Sequence, residues 1–152
     1  IGRHPHRTSN LIGEMLFLPS VRRSELAHRG RVEEVIDFLD LARYRNSLIA
    51  NLPFGVRKVV EVARALCTEP KLLLLDEPSS GLNVEETEDM AFWIEDIVKD
   101  LGITVLMVEH DMKLVGQVSD RVLVLNYGEV LARGTPAEVQ QDPEVIKAYI
   151  GD

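Results

Sequence analysis

Very little in this chain is sulfur-bearing, aromatic or continuously apolar, and each shortage removes a class of protein. A single cysteine, Cys67, among 152 residues cannot close an internal disulfide. That excludes a secreted disulfide scaffold and suits a reducing compartment. Cys67 falls in a helical apolar pattern, so a buried, inert thiol is expected. No apolar run reaches the ~20 residues of a membrane-spanning helix, because Glu14 interrupts the candidate between Leu11 and Leu18. Direct membrane insertion is therefore not expected. Basic charge is short as well: 17 Lys and Arg stand against 25 Asp and Glu, a formal net charge of −8. This balance opposes binding to nucleic acid or anionic lipid, so nucleic acid is not expected as a partner. What is present is ordinary for a folded protein, with 45% hydrophobic and 28% charged residues and no low-complexity tract, so a core of one ordinary domain is within reach.

The chain opens at Ile1 without an initiator methionine, and its first 23 residues mix Pro, Gly and basic side chains without a clear period. They read as a severed connecting segment. His4 and His6 lie close together, but no second ligand cluster follows, so solvated loop histidines are expected. From Ser24 the spacing of Leu26, Val32, Val35, Ile36 and Leu39 predicts an amphipathic helix to about Asp40. A second helix is predicted from Val56 to about Cys67, with Val59, Val60, Ala63 and Leu66 on one side. Residues 1–68 thus form a connecting and helical region, and residues 69–152 a core of different character within one domain.

Leu72 to Leu75 is a short apolar run fenced by Pro70 and Pro78. It has the form of a strand buried on both faces of a parallel sheet. Asn83 is placed to cap a helix, with Glu86 at its third position, a stripe of Met90, Trp93, Ile94, Ile97 and Leu101, and Gly102 as the stop. Ile103 to Val108 is the next strand, which makes a strand, helix, strand crossover joining parallel neighbours. Asp111 caps a short helix to Val118; RVLVL and EVLARG form a hairpin about Tyr127-Gly128; Thr135-Pro136-Ala137-Glu138 and Asp142-Pro143 each open a helix. The fold class expected is α/β.

The sharpest chemical feature is the carboxylate pair Asp76-Glu77 at the carboxyl end of a buried strand, the end beyond which open parallel sheets bind ligands. An aspartate there can hold magnesium, directly or through water, and the neighbouring glutamate can act on a water attacking a phosphate. An acidic strand end without chemistry is the bland alternative.

The string LLLLDEPSSGLN resembles the Walker B motif and following D-loop of ABC ATPases. The resemblance implies a layered fold of the P-loop NTPase type, here partial, with a helical signature region and a carboxy-terminal hairpin and helices. It makes Asp76 the magnesium-associated aspartate, Glu77 the general base, and Ser80, Gly81, Leu82 and Asn83 the loop that crosses to a second ATPase subunit in a head-to-tail dimer. His110, in VLMVEHDM, stands where the family has its switch histidine. NLPFGVRKVVEVARAL occupies the place of the signature sequence and its helix, with Leu52, Pro53, Phe54, Gly55 and Val56 as the loop. Gly55 keeps the small residue that lets backbone N–H groups approach a phosphate. Pro53 stands for the common serine, Phe54 for a glycine and Val56 for the glutamine, and proline offers neither hydroxyl nor N–H. The LPFG form and the stretch from Glu109 to Asp152 resemble the ATP-binding subunits of branched-chain amino acid importers.

The resemblance runs from about Ser24 to Asp152 and implies ATP and Mg²⁺ as ligands of a complete subunit, transmembrane permease subunits as partners, and a cytoplasmic place at the inner face of the plasma membrane. Neither G-x-x-x-x-G-K-[ST] nor an aromatic-glutamine pair resembling a Q-loop occurs in the sequence. Without the former there is no lysine and no nest of backbone donors for the phosphates, so this chain alone is expected not to bind nucleotide productively. A truncated, non-catalytic binding or regulatory module is the alternative. An ABC ATPase of DNA repair or translation would bring coiled-coil insertions, tandem modules or basic patches, and none is visible.

Overall fold

The computed structural model describes residues 19–150, with side chains described over 22–148. His4 and His6 lie outside that range. Helix α1 spans Pro19–Phe38 and is followed by 3-10 turns at Ala42–Tyr44 and Ile49–Asn51. Then come α2 (Phe54–Leu66), β1 (Leu72–Asp76), α3 (Val84–Lys99), β2 (Thr104–Val108), α4 (Met112–Val118), β3 (Val122–Asn126), β4 (Glu129–Gly134), α5 (Pro136–Gln140) and α6 (Pro143–Ile150).

Two compact units emerge, Ile1–Leu75 with Ile97–Leu106, and Asp76–Asp96 with Met107–Asp152. In the first, α1 packs against α2. Helix α1 begins five residues before the expected Ser24, because Pro19 suits the first helical position and Arg22 and Arg23 favour helix. Its early half carries little of the core, with Leu26 60% exposed, whereas Leu39 at its far end is fully buried. In α2 the buried positions are Gly55, Val59, Val62, Ala63 and Leu66, so Val62 rather than Val60 completes the stripe. Cys67 is buried, as expected.

Strands β1 and β2 pair with each other. Thr104 N–H donates to Lys71 O at 3.1 Å and Glu77 N–H to Val108 O at 2.9 Å. These bonds advance in the same direction along both strands, so the pair is parallel. The expectation that Leu72 to Leu75 is buried on both faces is not met. Leu73 is 3% exposed, but Leu72 and Leu74 are 51% and 66% exposed. The reason is the period of two: one face of β1 is covered and, among the described residues, no element covers the other. Helix α3 buries Met90, Ala91, Ile94 and Ile97, while Leu101, expected in its stripe, is exposed beyond the helix end. Gly102, at φ +64°, takes the left-handed conformation that stops the helix.

In the second unit β3 and β4 are antiparallel, from Val122 opposite Gly134 to Asn126 opposite Glu129, with a bulge between Val124 and Leu125. Tyr127 and Gly128 have φ of +47° and +85°, the pairing a two-residue hairpin turn requires. Val124, Val139 and Val145 form a small core there, with Val122, Leu131 and Ala132 against it. Reciprocal capping boxes start α3, from Asn83 and Glu86, and α5, from Thr135 and Glu138. Asp111 caps α4 and Asp142 caps α6 as the sequence indicates.

Two substitutions separate core packing from turn strain. Ile94→Ala removes a side chain that is 2% exposed and is expected to cost about 2–5 kcal/mol. Gly128→Ala meets no atom within 4 Å, so only the backbone objects, at about 1–2 kcal/mol. Urea unfolding of both variants checks the order; a Gly128→Ala variant as stable as the parent would mean the turn is not left-handed.

Candidate functional site

The polar residues of the second unit gather just past the carboxyl ends of β1 and β2. Asp76 closes β1 and is exposed. At Glu77 the backbone turns left-handed, with φ +45°, a conformation that costs a non-glycine residue about 1–2 kcal/mol. The Glu77 N–H bond to Val108 O and the Ser80 N–H bond to Glu77 O, at 3.1 Å, hold it there. The turn brings Glu77 Oε1 within 3.6 Å of His110 Nδ1, and both side chains are more than half exposed. Solvent and a ligand can therefore reach the pair. Ser80 and Gly81 continue the turn, Gly81 at φ +80°; Leu82 N–H donates to Ser79 O at 3.0 Å. Asn83 is committed to capping α3, since its Oδ1 accepts from Glu86 N–H at 2.9 Å.

Beneath this pair lies a residue the motif reading passed over, Glu109. Its side chain is fully buried. Oε1 accepts from the Ser79 N–H at 2.8 Å and the Ser79 hydroxyl at 2.5 Å, and Oε2 accepts from the His110 and Asp111 N–H groups at 2.9 and 3.3 Å. Burial pushes the Glu109 pKa up, but the bonds from Ser79, His110 and Asp111 outweigh it and hold the carboxyl below its ordinary value. The sequence did carry the signal. In β2 Val105 and Met107 point to the covered side while Thr104, Leu106 and Val108 are exposed, and that alternation assigns Glu109 to the covered side. A charge there demands several donors.

Along the outside, Lys113 Nζ pairs with Glu88 at 2.7 Å and Gln117 reaches Glu95 at 3.3 Å, tying α4 to α3. A cavity of about 150 Å³ between these helices, lined by Asn83, Thr87, Glu88, Asp111 and Lys113 among others, does not include Asp76, Glu77 or His110. In the first unit, the loop before α2 buries Leu52 and Gly55 and leaves Pro53 and Phe54 exposed. Pro53 gives the helix no side-chain cap. Arg57 and Lys58 lie over the Phe54 ring at 5.5 and 5.9 Å, which offsets the unfavourable placing of cations near a helix start.

Among the described residues no three His, Cys, Asp or Glu side chains are grouped to hold a metal. The exposed Asp76 carboxylate at the end of β1 is a single hard oxygen donor, of the kind that would suit magnesium carried on a nucleotide. No helix among the described residues is long and apolar enough to cross a membrane.

These observations define an α/β protein whose polar loops meet beyond the ends of neighbouring parallel strands. The ABC transporter family model matches residues 3–80, and that of the branched-chain amino acid ATP-binding cassette transporter matches residues 129–152. The high-affinity branched-chain amino acid transport ATP-binding protein BraF of Pseudomonas aeruginosa is 37% identical over 152 residues, covering all of this chain and 60% of BraF. LivG of Escherichia coli K12, of the same description, is 36% identical with the same coverage. The crystal structure of the ADP conformation of MJ1267, an ATP-binding cassette of an ABC transporter, aligns with TM-score 0.78 at 26% identity, covering 99% of this chain and 60% of MJ1267. CbiO1 of Clostridium perfringens, part of the ABC transporter complex cbiONQ, aligns with TM-score 0.70 at 34% identity, covering 78% of this chain and 47% of cbiO1. The chain belongs to the ABC transporter ATP-binding family. It spans about 60% of the length of the curated relatives it matches.

The depressed Glu109 pKa sets the sign of a pH dependence. The group's stabilisation is present above its unfolded pKa, near the model-compound value of 4.5, and is lost as pH falls through the lower folded value. Unfolding free energy measured from pH 7 to pH 3 is expected to fall less steeply in Glu109→Gln than in the parent. Equal acid slopes would show that the carboxylate is not held by these bonds.

Proposed function

We propose that this chain supplies the hydrolytic strand ends and the signature loop of an ATP-hydrolysing subunit that powers an importer of branched-chain amino acids or related solutes. The observation that carries the reading is the Glu77–His110 pair, 3.6 Å apart, within LLLLDEPSSGLN and VLMVEHDM. In this reading Glu77 takes the proton of the attacking water, and His110 orients that water and the γ-phosphate. Asp76 would hold the magnesium that travels with ATP, and that ion would neutralise phosphate charge. The exposed Pro53-Phe54 edge, with buried Leu52 and Gly55 behind it and Val56 beside it, faces the nucleotide of a second ATPase subunit. Ser80 to Asn83 cross to that subunit. Permease subunits select the solute and hold the ATPases at the cytoplasmic face of the membrane. The solute class rests on the relatives named for branched-chain amino acid transport and on the match over residues 129–152.

No G-x-x-x-x-G-K-[ST] occurs in the 152 residues. A charge-assisted hydrogen bond contributes about 1.5–3 kcal/mol, so three missing phosphate contacts weaken binding by about three to six powers of ten. The chain alone is therefore expected to show neither saturable micromolar ATP binding by calorimetry nor phosphate release with magnesium. Turnover by the chain alone that Glu77→Gln abolishes would reveal a nucleotide site of another kind.

In a subunit completed with a P-loop-bearing segment, Glu77→Gln is expected to keep ATP binding and lower turnover by roughly 10²–10⁴-fold. Turnover within a factor of two of the parent would remove Glu77 from the role of base. His110→Ala should spare ADP affinity while hydrolysis falls; a parallel loss of ADP binding would make His110 a nucleotide anchor instead.

A further inference from the structure

Glu77 and His110 sit on different loops, one after β1 and one after β2. Both side chains are more than half exposed, and His110 Nδ1 lies 3.6 Å from Glu77 Oε1 and 3.7 Å from Glu109 Oε2. Two links hold the loops together. The first is the backbone bond from Glu77 N–H to Val108 O. The second is the Glu109 carboxylate, which binds Ser79 twice through Oε1 and the His110 and Asp111 amides through Oε2. Ser79 is two residues past Glu77, and His110 is itself one of the bonded residues. A planar carboxylate that takes donors from both sides leaves the loops little freedom to slide, since any relative shift of about an ångström breaks a buried charge-assisted bond. Asp111, held by the same oxygen as His110, also caps α4 through the Lys113 and Leu114 amides. The loop bearing His110 is thereby fixed at both ends.

We infer that Glu109 is a positioning residue for hydrolysis: it clamps the Glu77 loop to the His110 loop and sets the distance between their side chains. It touches neither the proposed water nor a phosphate, and it acts through Ser79 and His110. The inference rests on the reading of Glu77 and His110 given above, and two measurements separate the two claims.

The first uses the chain as it stands. Amide hydrogen exchange at Ser79, His110 and Asp111 is expected to speed up together by at least ~10-fold in Glu109→Gln, because a neutral amide has one acceptor where the carboxylate has two. Amides in β3 and β4 should be unchanged. The second uses a subunit completed with a P-loop-bearing segment. Glu109→Gln is expected to lower kcat by about 10–100-fold with KM for ATP within about twofold, the split expected when an interaction matters only as the transition state is reached. Ser79→Ala, which removes a single hydroxyl, should give a smaller fall, and the double variant should fall no further than Glu109→Gln alone. If Glu109→Gln does not fold, Ser79→Ala alone decides, through Ser79 exchange and kcat. Unchanged exchange at the three amides, additive losses in the double variant, or equal changes in kcat and KM each overturn the inference. If the completed parent hydrolyses no ATP, the proposed function falls, and the clamp stands or falls on the exchange result.

Discussion

A buried carboxylate needs donors on every open lone pair, and in this chain that need organises the loops around the site. Glu109 reaches the covered side of β2 because strand alternation sends it there, and it stays ionised because Ser79, His110 and Asp111 converge on it. Ser79 lies 30 residues from Glu109, on the far side of the crossover through α3, yet the two loops are stitched by one side chain. The junction lies two residues past the left-handed turn at Glu77 and binds the amides of His110 and of Asp111, the residue that caps α4. Breaking it leaves a covered side-chain charge without these partners, a larger penalty than losing an exposed ion pair such as Lys113 with Glu88.

The elements were legible wherever local chemistry specifies them. Asn83 with Glu86, Thr135 with Glu138, and Asp111 and Asp142 announce helix starts because their side chains accept from nearby amides, which requires no knowledge of the rest of the fold. The hairpin turn at Tyr127-Gly128 is local in the same way. Burial was harder to read, because it depends on what lies opposite. The four leucines of β1 look alike in sequence, yet Leu73 is buried and Leu74 is not. The early start of α1 was hidden because Pro19 to Arg23 contribute propensity and no apolar period.

The candidate site divides along the same line. Asp76, Glu77 and His110 stood out because a specific string of residues surrounds each, and two of the three meet in space. Glu109 carries no motif of its own; only the parity of β2 reveals it. The loop from Leu52 to Val56 is intermediate. Its place was evident, but the division into a buried anchor at Leu52 and Gly55 and an accessible edge at Pro53 and Phe54 required coordinates, as did the stacking of Arg57 and Lys58 on the Phe54 ring.

The left-handed backbone at Glu77 carries a consequence for sequence change. At this position, folding and the proposed chemistry favour different residues. Glycine would accept φ +45° without the strain a side chain imposes, so drift toward stability favours it, while only a carboxylate can take a proton from water. Asparagine tolerates the same conformation better than most residues and also lacks the base. A β-branched residue loses on both counts. Under the proposed role, residue 77 is a point where about 1–2 kcal/mol of stability is given up to keep a base in place, and a variant library sorted for thermal stability alone would select against the glutamate there.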